Sequence, residues 1–132
     1  MDKVAKKKIL VVDDDNNLNS VLVEKLTFSG FDAVGAHDGE EGLKKALEIH
    51  PDIILLDIMM PKMGGMEVLD HLRKDAWGKT AKVIMLTALE DVNLVAQAME
   101  KGSYKYIEKV QHSLGDIVKQ VEAEIARDNS AK

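Results

Sequence analysis

The sequence predicts an α/β protein of five strand–helix units, with helices covering both faces of a parallel sheet. Short apolar runs rich in β-branched residues alternate with amphipathic stretches along the whole chain. Such runs are typical of strands that are buried on both faces. The 132 residues suffice for one hydrophobic core but not for two. Alternating strands and helices imply right-handed crossovers, and therefore a doubly wound sheet.

Five runs are predicted to be strands. The first, third and fourth are nearly continuous apolar blocks, whereas the second and fifth are weaker. In chain order the runs are 9–12, 33–36, 53–56, 82–86 and 104–107.

Helical periodicity near 3.6 residues separates these runs, and caps or breakers bound most of the helices. The apolar positions that define the helices are, in order, Leu18, Val21, Leu22 and Leu26; Leu43, Ala46 and Leu47; Met66, Leu69 and Leu72; Val92, Val95, Ala96 and Met99; and Leu114, Ile117, Val118, Val121 and Ile125. The expected boundary residues are Gly30, the capping pair Asp38 and Glu41, Pro51, Gly102, and the capping pair Ser113 and Asp116.

Composition excludes several classes of function. The absence of cysteine excludes disulfides, thiol nucleophiles and cysteine-based metal sites, and a net charge of −5 argues against direct nucleic-acid binding. The apolar run after the N-terminal lysines is too short for a secretory signal, and no segment reaches membrane-spanning length. We expect a cytoplasmic protein with a basic lead-in at 1–7, one domain at 8–126 and a polar tail at 127–132.

Polar side chains follow four of the predicted strands at the point where each strand ends. Three aspartates at 13–15 follow the first strand, Asp57 the third, Thr87 the fourth and Lys109 the fifth. The carboxyl ends of parallel strands share one edge of the sheet, where α/β folds bind ligands. Gathered carboxylates repel one another, and a hard divalent cation relieves the repulsion. Mg²⁺ suits this set because it binds a few carboxylates together with water and phosphate oxygens.

The same residues can support phosphoryl transfer. Asp57 could attack phosphorus to form an aspartyl phosphate, while a metal offsets the charge of the incoming group. Lys109 would pair with the phosphate, and the Thr87 hydroxyl would donate a hydrogen bond to it. Taken singly, Asp15 is best explained as a helix cap, and a threonine or lysine at a strand end is common. Their occurrence together on one edge favours the functional interpretation.

Four segments in this order and spacing resemble the receiver domains of two-component response regulators, including the stand-alone chemotaxis type. The segments are 9–15, 57–66, 86–88 and 106–109. The resemblance implies the flavodoxin-like strand order 2-1-3-4-5 and a phosphohistidine donor on a sensor kinase or phosphotransfer protein. It further implies a regulatory domain rather than an enzyme. Phosphorylation would alter the surface of the fourth helix, fifth strand and fifth helix for a protein partner, and this family also allows a phosphorylation-linked homodimer.

The resemblance also implies a role for each matching residue. Asp57 is similar to the phosphoacceptor, Asp14 to a direct Mg²⁺ ligand and Asp13 to one acting largely through water, with the backbone carbonyl of Met59 completing the ligands. The phosphate-binding and switch positions would be Thr87, Ala88, Lys109 and Tyr106, whose ring turns inward when the threonine moves. Met59 and Leu89 would flank the path of attacking water, and their apolar side chains predict slow loss of the phosphate.

The sequence departs from the family pattern at two positions. Val110 follows Lys109 where the family usually has proline, often after a cis bond, which leaves the pose of Lys109 open. Gly64 stands where aspartate is common. Two alternatives remain: a haloacid-dehalogenase-like phosphatase with Asp13 as nucleophile of an Asp-x-Asp motif, and a receiver that binds partners without phosphorylation.

Overall fold

A computed structural model describes residues 6–87, 92–103, 105–108 and 113–130. Five parallel strands form one sheet in the order β2-β1-β3-β4-β5. The strands are β1 (Lys8–Val12), β2 (Asp32–Ala36), β3 (Ile53–Asp57), β4 (Val83–Thr87) and β5 (Lys105–Glu108). The structure therefore confirms the predicted fold class and strand order.

The helices are divided between the two faces of the sheet. They are α1 (Asn16–Phe28), α2 (Gly39–Ile49), α3 (Gly65–Arg73), α4 (Val92–Glu100) and α5 (Leu114–Ser130), with a short 3₁₀ turn at Gly78–Thr80. The core on one face joins the sheet to α1 and α5, and the core on the other face joins it to α2, α3 and α4. Helix α5 extends into the residues that the sequence assigned to a polar tail.

The boundary signals of the helices act as expected within the described residues. Gly30 and Gly102 adopt positive φ angles of 100° and 91° after α1 and α4. The Asp38 carboxylate accepts a hydrogen bond of 2.7 Å from the backbone N–H of Glu41. The Glu41 carboxylate accepts one from the backbone N–H of His37, and this bond is the main cause of the lowered pKa of Glu41. Ser113 and Asp116 cap each other reciprocally at α5.

In two helices, part of the apolar set that was predicted to be buried is exposed. Helix α1 buries Asn19 with Leu22 and Leu26, whereas Val21 is 40% exposed. The asparagine can lie in the core because its amide donates to backbone carbonyls. Helix α4 buries Ala98 and exposes Met99.

Gly65 is the first residue of α3, and it lies so close to the end of β3 that no side chain fits at this position. A Cβ there would lie 2.2 Å from the carbonyl oxygen of Asp57. We expect Gly65→Ala to lower the free energy of unfolding by about 2 kcal/mol, because backbone atoms cannot rotate out of the overlap. In the control Gly115→Ala, the nearest atom is the Ser113 Oγ at 3.8 Å. This variant should gain roughly 0.5 kcal/mol from helix propensity, so equal urea unfolding curves for the two variants would contradict the prediction.

Candidate functional site

Three carboxylates converge at the carboxyl edge of the sheet. Asp13 follows β1 and Asp57 ends β3; both are buried, whereas Asp14 is exposed. One carboxylate oxygen from each of the three residues lies within 4.8 Å of the other two. A set of three carboxylate oxygens at this spacing fits a hard divalent cation. The structure thus brings together the acidic side chains that the sequence singled out for metal binding.

Asp15, the third aspartate of the run, caps a helix and is not a member of this cluster. Its Oδ1 accepts a hydrogen bond of 3.1 Å from the backbone N–H of Leu18, so it is the N-cap of α1. The backbone N–H of Asp15 in turn donates to the Oδ1 of Asp13 at 3.0 Å. The hydrogen bonds that the carboxylates of Asp13 and Asp15 accept therefore stabilise the short turn between β1 and α1.

Asn19 is a positioning residue that the sequence interpretation missed. It is 1% exposed, and its Nδ2 donates to the carbonyl oxygens of Ala36 at 2.8 Å and Asp13 at 3.0 Å. These bonds join the ends of β1 and β2 and fix the backbone that carries Asp13. Gly35 leaves room for the amide, since a Cβ there would lie 2.3 Å from the Asn19 Oδ1. The signal in the sequence was an asparagine spaced three residues before Leu22 on a buried helix face.

The Asp57 carboxylate is oriented by the loop that follows β3. Its Oδ1 accepts a hydrogen bond of 3.3 Å from the backbone N–H of Met59. The loop returns to α3 through a bond of 2.9 Å between the N–H of Gly65 and the carbonyl of Ile58. The Met59 side chain is 57% exposed. An apolar side chain therefore stands in solvent two residues from the buried carboxylate.

The hydroxyl and aromatic residues predicted for the switch lie on the two neighbouring strands. Asp57 is in register with Leu86, so Thr87 lies one residue further toward the carboxyl edge of β4. Thr87 is buried, and it is in register with Glu108 of β5. Tyr106, two residues earlier on β5, is 41% exposed.

The remaining predicted site positions, Ala88, Leu89 and Lys109, lie outside the described residues, as does Val110. The role of the Met59 backbone carbonyl as a Mg²⁺ ligand likewise stays a prediction. Lys105, the other lysine of this region, faces α5, where its Nζ lies 3.4 Å from the Oε2 of the buried Glu124. Its side chain is thereby tied to the helix rather than to the acidic cluster.

An acidic cluster at the carboxyl edge of a 2-1-3-4-5 sheet, with a buried threonine ending the adjacent strand, defines the class of receiver domains. A sequence model of the response regulator receiver domain matches residues 9–122. The chain belongs to this family, and it is a phosphorylation-controlled signalling domain.

Individual relatives agree with this assignment. Over 131 residues the chain is 37% identical to a probable transcriptional regulator, ycf27, of Guillardia theta, covering 99% of the chain and 50% of the relative. It is 42% identical over 103 residues to the alkaline phosphatase synthesis transcriptional regulatory protein PhoP of Bacillus subtilis (strain 168), covering 78% of the chain and 42% of the relative. The chain spans half or less of the length of these curated relatives.

A CheY-like receiver domain from Methanospirillum hungatei JF-1 superimposes with a TM-score of 0.86 at 26% identity, covering 97% of this chain and 100% of that one. The likeness extends across the sheet and its helices. Within the described part of the chain, every helix is too short or too polar to cross a membrane.

Proposed function

We propose that Asp57 accepts a phosphoryl group from a phosphohistidine donor in the presence of Mg²⁺, and that this modification controls a protein partner. One observation carries the proposal. The oxygens of Asp13, Asp14 and Asp57 lie within 4.8 Å of one another at the edge where Asp57 ends its strand. The donor would be a sensor histidine kinase or a histidine phosphotransfer protein of the cytoplasm.

The carboxylates of Asp13, Asp14 and Asp57, with the Met59 carbonyl, would hold the cation. When bound, Mg²⁺ supplies charge that offsets the negative charge of the phosphoryl group. In the transfer, an Asp57 oxygen forms the new bond to phosphorus as the bond between phosphorus and the donor imidazole nitrogen breaks. The imidazole leaves with that electron pair. The Met59 N–H, bonded to the Asp57 Oδ1, holds the nucleophile in one orientation.

The position of Asp15 favours this mechanism over a haloacid-dehalogenase-like phosphatase. Such an enzyme would use Asp13 and Asp15 together as an Asp-x-Asp pair. Here the Asp15 carboxylate caps α1, and the third member of the cluster is Asp57 from another strand. We therefore propose a regulatory domain without an enzymatic activity of its own beyond gain and loss of this phosphate.

The signal would leave through α4, β5 and α5. Lys109 and the Thr87 hydroxyl would bind the phosphate, with the backbone at Ala88 beside it, and Tyr106 would turn from its exposed position toward the space that Thr87 vacates. Such a switch is decisive only if phosphorylation favours the new state by a few kcal/mol. The net charge of −5 supports an output through protein contact rather than direct contact with nucleic acid.

Contacts at the far end of α4 indicate which part of the helix would move. Arg73 of α3 donates to the carbonyl oxygens of Lys101 at 3.3 Å and Gly102 at 2.6 Å. The Lys101 Nζ lies 2.8 Å from Asp70. These bonds anchor the C-terminal end of α4 to α3, so we expect movement at its N-terminal end, next to Thr87.

Chemical-shift mapping by NMR tests the proposed output. The labelled chain is titrated with beryllofluoride, an analogue of the phosphoryl group, in Mg²⁺ buffer. We expect amide shifts near Asp57 and Thr87 that continue into α4, β5 and the start of α5. Thr87→Ala should confine the shifts to the acidic cluster. Shifts confined to that cluster in the wild-type chain would contradict the proposed output.

The apolar Met59 predicts slow hydrolysis of the aspartyl phosphate. We expect Met59→Asn to accelerate phosphate loss roughly fivefold, since one hydrogen bond that orients water is worth about 1 kcal/mol of barrier. Leu89→Glu should act in the same direction. Leu47→Asn, which changes a partly exposed apolar residue on α2, provides the control. Rapid loss of phosphate from the wild-type chain, unchanged by Met59→Asn or Leu89→Glu, would refute the role of these positions.

A further inference from the structure

Met59 is the most exposed methionine among the described residues. It is 57% exposed, whereas Met85 is fully buried. The other methionines of the same loop and of α3 pack against the core that joins the sheet to α2, α3 and α4; they are Met60, Met63 and Met66. The chain has no cysteine, so no thiol competes for an oxidant. Because a peroxide must reach the sulfur atom in order to react, Met59 is the methionine it meets first in this loop.

The backbone places this methionine beside the candidate phosphoacceptor. The N–H of Met59 donates to the Oδ1 of Asp57 at 3.3 Å. The loop is held again where the N–H of Gly65 donates to the carbonyl of Ile58 at 2.9 Å. The thioether therefore belongs to a residue whose own backbone is bonded to the carboxylate. A change in the polarity of the Met59 side chain takes place within the reach of one side chain from any group bound to Asp57.

The reaction of a thioether with hydrogen peroxide needs no other reagent. A lone pair of the sulfur atom attacks one peroxide oxygen, and an S–O bond forms as the O–O bond breaks. The proton of the attacked oxygen ends on the departing hydroxide, which leaves as water. Sulfur is thereby oxidised by two electrons, and the peroxide is reduced by two. The product is a sulfoxide, which turns an apolar side chain into a polar one with a hydrogen-bond acceptor.

We propose that Met59 is an oxidation site, and that its sulfoxide shortens the lifetime of the phosphate on Asp57. This inference rests on the phosphorylation of Asp57 proposed for this chain. A thioether accepts hydrogen bonds only weakly, whereas the sulfoxide oxygen accepts one from the water molecule that attacks phosphorus. Phosphate loss then becomes roughly fivefold faster, by the same hydrogen bond that Met59→Asn would supply. Peroxide would thus return the domain to its unphosphorylated state without any change in the donor.

Met99 is the matched control for this site. It is 43% exposed, so peroxide reaches it as well, but it lies near the C-terminal end of α4. Strands β4 and β5 are parallel, so the helix that joins them runs back along the sheet. The end of α4 that carries Met99 is therefore far from the edge that carries Asp57. Oxidation of Met99 should leave the rate of phosphate loss unchanged.

Peroxide treatment of the 132-residue chain, followed by peptide mass spectrometry, tests the oxidation site itself. Sulfoxide should form several times faster at Met59 than at Met60, which lies in the same loop but is half-buried. Equal rates of oxidation at these two neighbours would overturn the assignment of Met59 as the site.

The lifetime of the phosphate tests the consequence of oxidation. The chain is oxidised, labelled with acetyl phosphate in Mg²⁺ buffer, desalted and followed by intact mass. Loss of phosphate should be roughly fivefold faster than from the untreated chain, and methionine sulfoxide reductases for both epimers should restore the slower rate. Met59→Leu, whatever its own rate of loss, should show the same rate before and after peroxide. Met99→Leu should keep the full response to peroxide.

The outcomes separate this inference from the phosphorylation on which it rests. An untreated chain that takes up no label would overturn the phosphorylation of Asp57, and the inference with it. A chain that takes up label but loses it at one rate, whether or not Met59 is oxidised, would overturn the inference alone. A response to peroxide that persists in Met59→Leu would do the same.

Discussion

Asp57→Asn is expected to abolish phosphoryl incorporation from acetyl phosphate, the largest loss predicted for any single substitution in this chain. An amide lacks the nucleophilic carboxylate oxygen, so no acyl phosphate can form. The substitution is nearly isosteric, and an amide oxygen can still accept the hydrogen bond from the Met59 N–H. The loss should therefore be chemical rather than structural. Retained thermal stability, together with absent label in the intact mass, is the expected result.

Two further variants distinguish the role of the nucleophile from the roles of the neighbouring residues. Asp13→Asn should reduce labelling by weakening Mg²⁺ binding, because it removes one charge from the cluster. Thr87→Ala should still take up label but lose the change at the α4, β5 and α5 surface. Chelation of Mg²⁺ should suppress labelling of the wild-type chain. Label retained in Asp57→Asn and lost in Asp13→Asn would instead support the phosphatase mechanism.

Asn19→Ala is expected to lower both the stability of the fold and its affinity for Mg²⁺, although Asn19 does not itself bind the cation. The substitution leaves the buried carbonyl oxygens of Ala36 and Asp13 without their amide donor. The carbonyl oxygen of Ala36 keeps the backbone N–H of Asp13 as a donor at 3.1 Å. The cost is therefore that of two lost hydrogen bonds, about 1 kcal/mol each, and we expect a loss of about 2 kcal/mol in urea unfolding. Mg²⁺ affinity should fall roughly tenfold, as is usual when a residue that supports a metal ligand is removed.

Asn17→Ala is the matched control for this prediction. It removes an exposed asparagine from the same turn of α1, and its effect on the free energy of unfolding should stay within about 0.5 kcal/mol. Calorimetric titration with Mg²⁺ provides the second readout. Equal stability and equal Mg²⁺ affinity in the two variants would show that Asn19 does not position Asp13.

The sheet and its functional edge were predictable because their signals are local. Strands buried on both faces must be apolar throughout, and all five strands begin and end within one residue of the predicted runs. The parallel topology then places Asp13, Asp57 and Thr87 on one edge, whatever the details of packing. The apolar pattern predicts the ends of strands less well, because a polar residue can still pair within the sheet. Thr87, for example, pairs with Glu108.

Features that depend on which way a helix faces could not be predicted in the same way. Asn19 lies on the buried face of α1 because three-dimensional proximity to the ends of β1 and β2 satisfies its amide, and a hydrophobicity pattern assigns asparagine to solvent. In α4, Ala96, Ala98 and Met99 fit either face about equally well, and only packing on the sheet selects Ala98.

Trapping the modified residue tests the central claim most directly. The wild-type chain is incubated with acetyl phosphate and Mg²⁺, reduced with borohydride, which converts an aspartyl phosphate to homoserine, and then digested for peptide mass spectrometry. We predict homoserine at position 57 alone, and none when Mg²⁺ is chelated. Homoserine at position 13, or at no position in the presence of Mg²⁺, would contradict the assignment of Asp57 as the phosphoacceptor.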